Sequence, residues 1–324
     1  MTINSDLERV VELWDKTVRE RAVNPIQGWL DSPIVLENYV QPTVSDAPQV
    51  NWLVGLMERV GIARGGRWLS LGCGAAALEI FASKRKLFDK LFAVDVSPAS
   101  VEEARRAAAA EEVSNIEFLV SDLSRLELPR SAYDVVLMNM SLHHVKELRS
   151  VLSNVRRTLV PDGFFLVNEF IGPRQFQFPD LQLSLVGELL AALPLRWRQD
   201  SATGEIKTQY VKQPVEHWNV ADPSEAIRSD LIVSEVERQF RVLERRDYGG
   251  TILNLLLEHI VHNFDPADEK DVAAIRLLGA IESILIRHGV IPSDFTVMAM
   301  KKRSFSVSRL FSALSSREKR AART

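Results

Sequence analysis

The chain has 324 residues, 46% of them hydrophobic and 26% charged, the make-up of an ordinary globular protein. No run reaches the roughly 18 apolar residues of a membrane span, and the N-terminus mixes charged with apolar residues, so neither a membrane-embedded body nor a secretory leader is expected. The net charge of −3 hides an asymmetry: residues 301–324 carry eight Lys and Arg against one Glu, which leaves −10 on the remainder. So acidic a body argues against nucleic acid as the main substrate, because phosphate contacts need a basic face. One cysteine, Cys73, excludes an intrachain disulfide, and the six histidines show no metal-ligand spacing, so no metal is expected.

Leu7, Val10, Val11, Trp14 and Val18 recur at helical spacing, and a looser Pro- and Asn-containing segment follows to about Pro48. A helical pattern over Gln49 to Val60 then leads through Gly65-Gly66 into an apolar strand, Arg67 to Leu71. From there strands alternate with helices. Leu91–Val94, Ile116–Val120, Tyr133–Met138 and Phe164–Val167 read as strands, and Val101–Ala110 and Leu148–Leu159 as helices, with Pro161-Asp162-Gly163 turning into the fifth strand. Such alternation predicts an α/β fold, a mostly parallel sheet with helices on both faces.

Residues 170–239 are too many for a connection, so they form an insertion with structure of its own. Phe240–Tyr248 reads as a sixth strand and Phe295–Met300 as a seventh, with helical patterns over Thr251–Asn263 and Asp268–His288 between them. The expected organisation is a helical N-terminal cap over 1–60, a sheet domain over 61–300 with insertions at 170–239 and 249–293, and a basic tail over 301–324. In that tail Val307, Leu310, Phe311 and Leu314 have helical spacing, which suits peripheral contact with a membrane or partner as well as a frayed end. The chain is expected to be cytoplasmic.

The chemistry concentrates where the first strand ends. In WLSLGCGAAALE, Gly72 and Gly74 let the backbone approach a ligand closely, and amides opening the next helix are expected to serve as donors. The second strand ends in Asp95, 23 residues past Gly72, where a carboxylate can accept from both hydroxyls of a ribose. By itself this pair also fits a nicotinamide enzyme, since Gly72-x-Gly74-x-x-Ala77 matches the dinucleotide pattern.

With FLVSDLS after the third strand and YDVVLMNMSLHHV in the fourth, the segment from Arg67 to Glu169 resembles the class I S-adenosylmethionine-dependent methyltransferases. The resemblance implies a Rossmann-like seven-stranded sheet and S-adenosyl-L-methionine as cofactor. It implies that the turn Ser70, Gly72, Cys73 and Gly74 meets the methionine part, Asp95 and Val96 the ribose, and Ser121, Asp122 and Leu123 the adenine. Asn139 and Met140 would line the methyl-transfer rim. Two positions depart from the family pattern: Ser70 stands where an acid is common, and Ala76 where a third glycine is. These departures keep open a non-catalytic cofactor- or partner-binding module on the same fold.

Methyl transfer needs a base only when the acceptor must lose a proton. His143 and His144 follow the fourth strand, at the open edge where ligands bind in such sheets, and Glu169 ends the fifth. These three are the catalytic candidates, Glu169 as a group orienting an acceptor hydroxyl or amine. Each also has a structural reading, as a helix cap or a salt-bridge partner. The insertion reads as a substrate lid, its aromatic and basic groups including Arg174, His217 and Arg228. A looser likeness, through GWLDSP, HWNVADPSEAIRS and DYGGTILNLLLEHIVHNF, links the chain to a bacterial branch associated with surface-polysaccharide genes. It implies a small-molecule or glycan acceptor methylated on oxygen or nitrogen.

Overall fold

The computed structural model describes residues 8–16 and 28–303. The expected tail helix over 307–314 lies outside them. Seven strands form one sheet in the order β3-β2-β1-β4-β5-β7-β6. They are β1 (Arg67–Leu71), β2 (Lys90–Asp95), β3 (Ile116–Val120), β4 (Tyr133–Asn139), β5 (Leu159–Phe170), β6 (Phe240–Gly249) and β7 (Phe295–Lys302). β1 to β5 pair in parallel, and β7 runs antiparallel between β5 and β6. The strand order reverses beside β1, because β2 and β3 lie on one side and β4 on the other. A doubly wound sheet binds ligands at such a switch point, beyond the carboxyl ends of the strands.

Strand side chains alternate between two apolar layers. Trp68, Val135, Leu137, Leu166, Val297 and Ala299 face one layer, while Leu69, Val136, Met138, Phe165, Val167, Met298 and Met300 face the other. Both faces are therefore covered, which is why these strands read as continuous apolar runs. The first layer also receives Trp29, Ile34, Tyr39, Leu53 and Leu56 from the N-terminal segment, so residues 29–57 share a core with the sheet.

Two expectations are corrected. The segment before Pro48, read as loose, is helical through residues 33–45, with a wider π-type turn at Leu36–Val40. Its Pro and Asn residues obscured an apolar face made of Ile34, Val35, Val40 and Val44, all buried. The turn expected at Pro161-Asp162-Gly163 lies inside β5. There the ladder jumps from Tyr133↔Leu159 to Val135↔Phe164, so residues 160–163 stand opposite Asp134 alone, as a bulge. The insertion holds the helices Asp180–Ala192, Val215–Ala221 and Ile232–Gln239. No helix among the described residues is long and apolar enough to cross a membrane.

Candidate functional site

Gly72 leaves β1 at φ 73° and Gly74 follows at φ 52°, both in the left-handed region. Gly72 is doubly constrained, since a Cβ there would lie 2.4 Å from the Cβ of Ser141, whose hydroxyl donates to the Leu71 carbonyl at 2.8 Å. A Cβ on Gly74 would meet nothing within 4 Å, so the turn opens on free space at that point. Four amides of the turn are already engaged. Those of Gly72 and Cys73 donate to the Val94 carbonyl, that of Ala76 to Cys73, and that of Gly74 to Asp95 Oδ2. The turn itself thus offers close approach of backbone, and donors are left to the amides that open the helix Ala77–Lys84, which has no side-chain cap.

Asp95 is the pivot of this side. Its Oδ2 accepts from Gly74 N at 2.8 Å and its Oδ1 from Ser97 N at 2.9 Å, which ties the end of β2 to the glycine turn. Each oxygen keeps a further lone pair for a hydroxyl donor. Burial raises its pKa, while the amides of Ser97, Gly74 and Val96 and the nearby His144 act in the opposite sense. Half-buried Val96 follows it, and at the end of β3 Ser121 N donates to the Asp95 carbonyl at 2.8 Å. Asp122 accepts from Ser124 N and Ser124 Oγ, and half-buried Leu123 packs on the second apolar layer. Register places these residues along one edge, with Leu71 beside Val94, Asp95 beside Val120 and Asn139 beside Asn168.

Residues 69–167 match the family model described as a methyltransferase domain. Residues 69–167 are thus similar to methyltransferase domains. The match runs from β1 to β5, the region that builds the edge just described, and decides against the nicotinamide reading of the glycine pattern. The chain is 26% identical over 125 residues to (S)-coclaurine N-methyltransferase of Thalictrum flavum, covering 39% of this chain and 34% of that protein. It is 30% identical over 105 residues to an uncharacterised methyltransferase of Mycobacterium bovis, covering 32% and 51%. It thus spans about half or less of the length of these relatives. A solved S-adenosylmethionine-dependent methyltransferase from Mesorhizobium loti aligns with 78% of this chain and 97% of its own, at 16% identity and a TM-score of 0.46.

Ser70, which stands where the resemblance implies an acid, has an acid nearby. The Ser70 hydroxyl donates to Glu79 Oε1 at 2.6 Å, and Glu79, on the helix Ala77–Lys84, is fully buried beneath the turn. Burial pushes its pKa up to about 7, against the Ser70 hydrogen bond, and the charge of Asp95 adds to the rise. Sequence reasoning passed over Glu79. The available signal was a lone acid in the first turn of a helix that follows a strand lacking one. Cys73 is half-buried, and burial pushes its thiol up, so it is a neutral wall group.

The β4–β5 side is built differently. Asn139 Oδ1 accepts from Asn168 Nδ2 at 2.9 Å, and Asn168 in turn accepts from the Tyr248 hydroxyl. Met140 takes a left-handed turn at φ 51°, its amide on the Asn168 carbonyl. Glu169, expected to orient an acceptor, is corrected to a positioning group. It is wholly buried, and its oxygens accept from the amides of Ser141, Leu142 and Phe170 and pair with His143 Nδ1. Nothing is left to reach an acceptor.

His143 Nε2 points at Glu225 Oε1, 3.5 Å away. Burial alone would lower its pKa, but the carboxylates of Glu169, Glu225 and Asp222 overcome this and raise it to about 9. An imidazole held this way is a poor neutral-pH base. His144 goes the other way, lowered by burial and by the charge of His143. Its Nδ1 lies 3.1 Å from Ser224 Oγ and 3.8 Å from Asp222 Oδ2, and its ring meets Trp14 edge-on at 5.1 Å.

Asp222, Ser224 and Glu225 reach the histidines from the insertion, about 80 residues away, and nothing local in the sequence could have paired them. The same holds for Asp15 of the helical segment 8–16, which accepts from Ser97 Oγ at 2.6 Å and Ala99 N at 3.1 Å. Arg174 serves the insertion itself, donating to the Ile227 carbonyl, while His217 stands exposed beside Trp218. Arg228 precedes the turn Ser229–Leu231, and its charge helps hold Glu235 below the usual carboxylate range, mainly the work of Arg149.

Proposed function

We propose that the protein transfers a methyl group from S-adenosylmethionine to oxygen or nitrogen of a small-molecule acceptor. The observation that carries this reading is the Asp95 carboxylate, fixed by two amides beside an open glycine turn at the switch point of the sheet. The residues fit the cofactor: the space at Gly74 admits the methionine chain, Asp95 has lone pairs for the ribose hydroxyls, and Asp122 stands at the adenine end. Val96, Ser121, Leu123, Cys73, Asn139 and Met140 complete the wall. Glu79, through Ser70, suits the methionine ammonium in its ionised form, which that positive charge would favour. Bound there, the cofactor provides a methyl group on positively charged sulfur. The chain's part is to orient an acceptor in line with it and keep water out.

Aromatic rings support an acceptor that presents a ring face. From His143 they run through Phe170 to Phe176, which meets Trp218 edge-on at 5.0 Å, and to Phe178 and Tyr210. Phe176, Tyr210 and Trp218 are only half-buried, and the buried Trp218 Nε1 has no partner among the described residues. Apolar rings with an unused donor suit a sugar or other ring-bearing molecule, in keeping with the likeness to the polysaccharide-associated branch.

Calorimetry with S-adenosylmethionine tests the reading. Asp95→Ala should weaken binding by the roughly 1.5–3 kcal/mol of hydrogen bonds to a charged group, about tenfold to a hundredfold. Unchanged affinity would move the ribose site elsewhere. Incubation of the protein with labelled cofactor and cell extract should yield methylated product, and tight binding without product would point to a binding module.

A further inference from the structure

We propose that His143, His144 and Glu225, with Asp222 beside them, hold a divalent cation of the zinc class on the acceptor side of the cleft. One ligand atom from each of His143, His144 and Glu225 lies within 4.8 Å of the others. Tetrahedral zinc with bonds of about 2.0–2.1 Å sets its ligands about 3.4 Å apart, and His143 Nε2 stands 3.5 Å from Glu225 Oε1.

The surroundings of the cluster are those of a metal site. A ligating histidine donates its other nitrogen to a carboxylate or hydroxyl, which fixes the ring and directs the free lone pair. His143 Nδ1 is engaged by Glu169, itself clamped by the amides of Ser141, Leu142 and Phe170. The Ser224 hydroxyl donates to Asp222 Oδ1 at 2.6 Å, so toward His144 it can only accept, and His144 carries its proton on Nδ1. That leaves Nε2 of each ring as a ligand.

An independent observation is the Asp222 carboxylate. It is 3% exposed, and among the described residues its Oδ2 has no hydrogen-bond partner; it lies 3.8 Å from His144 Nδ1, the protonated nitrogen, so it backs that ring as an outer carboxylate while Nε2 faces the cation. A buried, unmatched carboxylate oxygen is costly unless a positive charge comes within reach. The site thus gathers three carboxylates about two imidazoles.

Two imidazoles and a carboxylate favour zinc-class ions over calcium or magnesium, which prefer all-oxygen sets. Three protein ligands leave a position open for an oxygen of the acceptor. Resting on the methyl-transfer reading, this narrows the acceptor to one methylated on oxygen, because an amine bound to the cation would lose the lone pair it needs.

The test uses the metal-stripped full chain and Co2+ as a visible probe. We expect one equivalent of Co2+ to give the intense d–d absorption of a four- or five-coordinate site, displaced by Zn2+. Glu225→Gln and Asp222→Asn, both near-isosteric, should weaken Co2+ binding by about tenfold to a hundredfold. His217→Gln, outside the cluster, should not. Absence of the band, or equal Co2+ affinity in Glu225→Gln and the parent, overturns the proposal. S-adenosylmethionine titration of the same samples separates the two readings: cofactor binding without a cobalt band removes only the metal site, and a cobalt band without cofactor binding removes only the methyl-transfer reading.

Discussion

On the β1–β3 side of the cleft, polar groups find their partners close by in the chain: Asp95 holds amides 2 and 21 residues away, and Ser70 meets Glu79 nine residues on. On the β4–β5 side they find them far off, with His143 and His144 facing Glu225 and Ser224 across about 80 residues. The first side is a backbone device whose shape follows from a strand, a turn and a helix. The second is a side-chain network assembled only when the insertion docks. Damage on the first side should therefore act on cofactor binding and local strain, and damage on the second on the docking of the insertion.

The largest effect is expected on the β4–β5 side. Glu169→Ala removes the acceptor of three buried amides and leaves His143 beside one carboxylate fewer. Breaking a buried pair of this kind costs about 3–5 kcal/mol, which chemical denaturation would register as a lower midpoint. A loss below about 1 kcal/mol would mean that the loop after β4 is held by other contacts.

Glu79 separates the sides by pH. Its folded pKa, about 7, lies above the ordinary glutamate value of 4.5, so between these values the folded state holds a proton that the unfolded state has lost. Stability contributed by the neutral acid is full below about pH 4.5 and falls as pH rises toward 7, by on the order of 3 kcal/mol. Glu79→Gln should flatten that slope in melting curves recorded from pH 5 to 8. Since a bound ammonium group favours the ionised acid, parent affinity for S-adenosylmethionine should rise over the same range while that of Glu79→Gln stays level. A variant whose affinity still climbs with pH would free Glu79 of that role.

The paired glycines offer a sharper contrast within one turn. Gly72→Ala combines a left-handed φ with a clash against Ser141, for about 2–3 kcal/mol of lost stability. Gly74→Ala meets no atom and carries only the backbone term, about 1 kcal/mol. Its larger effect should be on cofactor affinity, because the new methyl group enters the space open to the ligand. Equal melting shifts in the two variants would mean that Ser141 yields easily.

Legibility divides along the same line. The inner strands β1, β4, β5 and β7 were readable because both faces of the sheet are buried there and each carries an apolar run, whereas the edge strands β3 and β6 are partly exposed and more polar. Asp95 was readable because its partners lie within one strand–turn–helix unit. Glu169 was readable as a residue but not as a role, since its burial depends on three amides of another loop. The helix at 33–45 was hidden because Pro33 and Pro42 sit near the starts of short helical stretches, where proline is tolerated, but in a sequence they read as breaks. Glu225 and Asp222 looked like ordinary acids in a lid. Only the tertiary fold carries them to the histidines.

The smallest effect concerns the segment that touches both sides. Neighbouring residues of the helical stretch 8–16 reach opposite walls: Asp15 accepts from Ser97 and Ala99 at the β2 edge, and Trp14 lies edge-on against His144 at the β4 edge. Asp15 thus acts as an outside cap on the helix Pro98–Ala110, whose own cap, Ser97, already serves Ser100 N. Asp15→Ala should cost about 1 kcal/mol, the usual worth of a cap. The loss should appear first as faster amide exchange over residues 8–16, with little change in the strands, because only this segment loses its anchor. If it closes on the cofactor, added S-adenosylmethionine should slow that exchange in the parent more than in Asp15→Ala. Equal slowing in both would assign the closure to Trp14 and His144 instead, and make the β4 side the one that holds this segment.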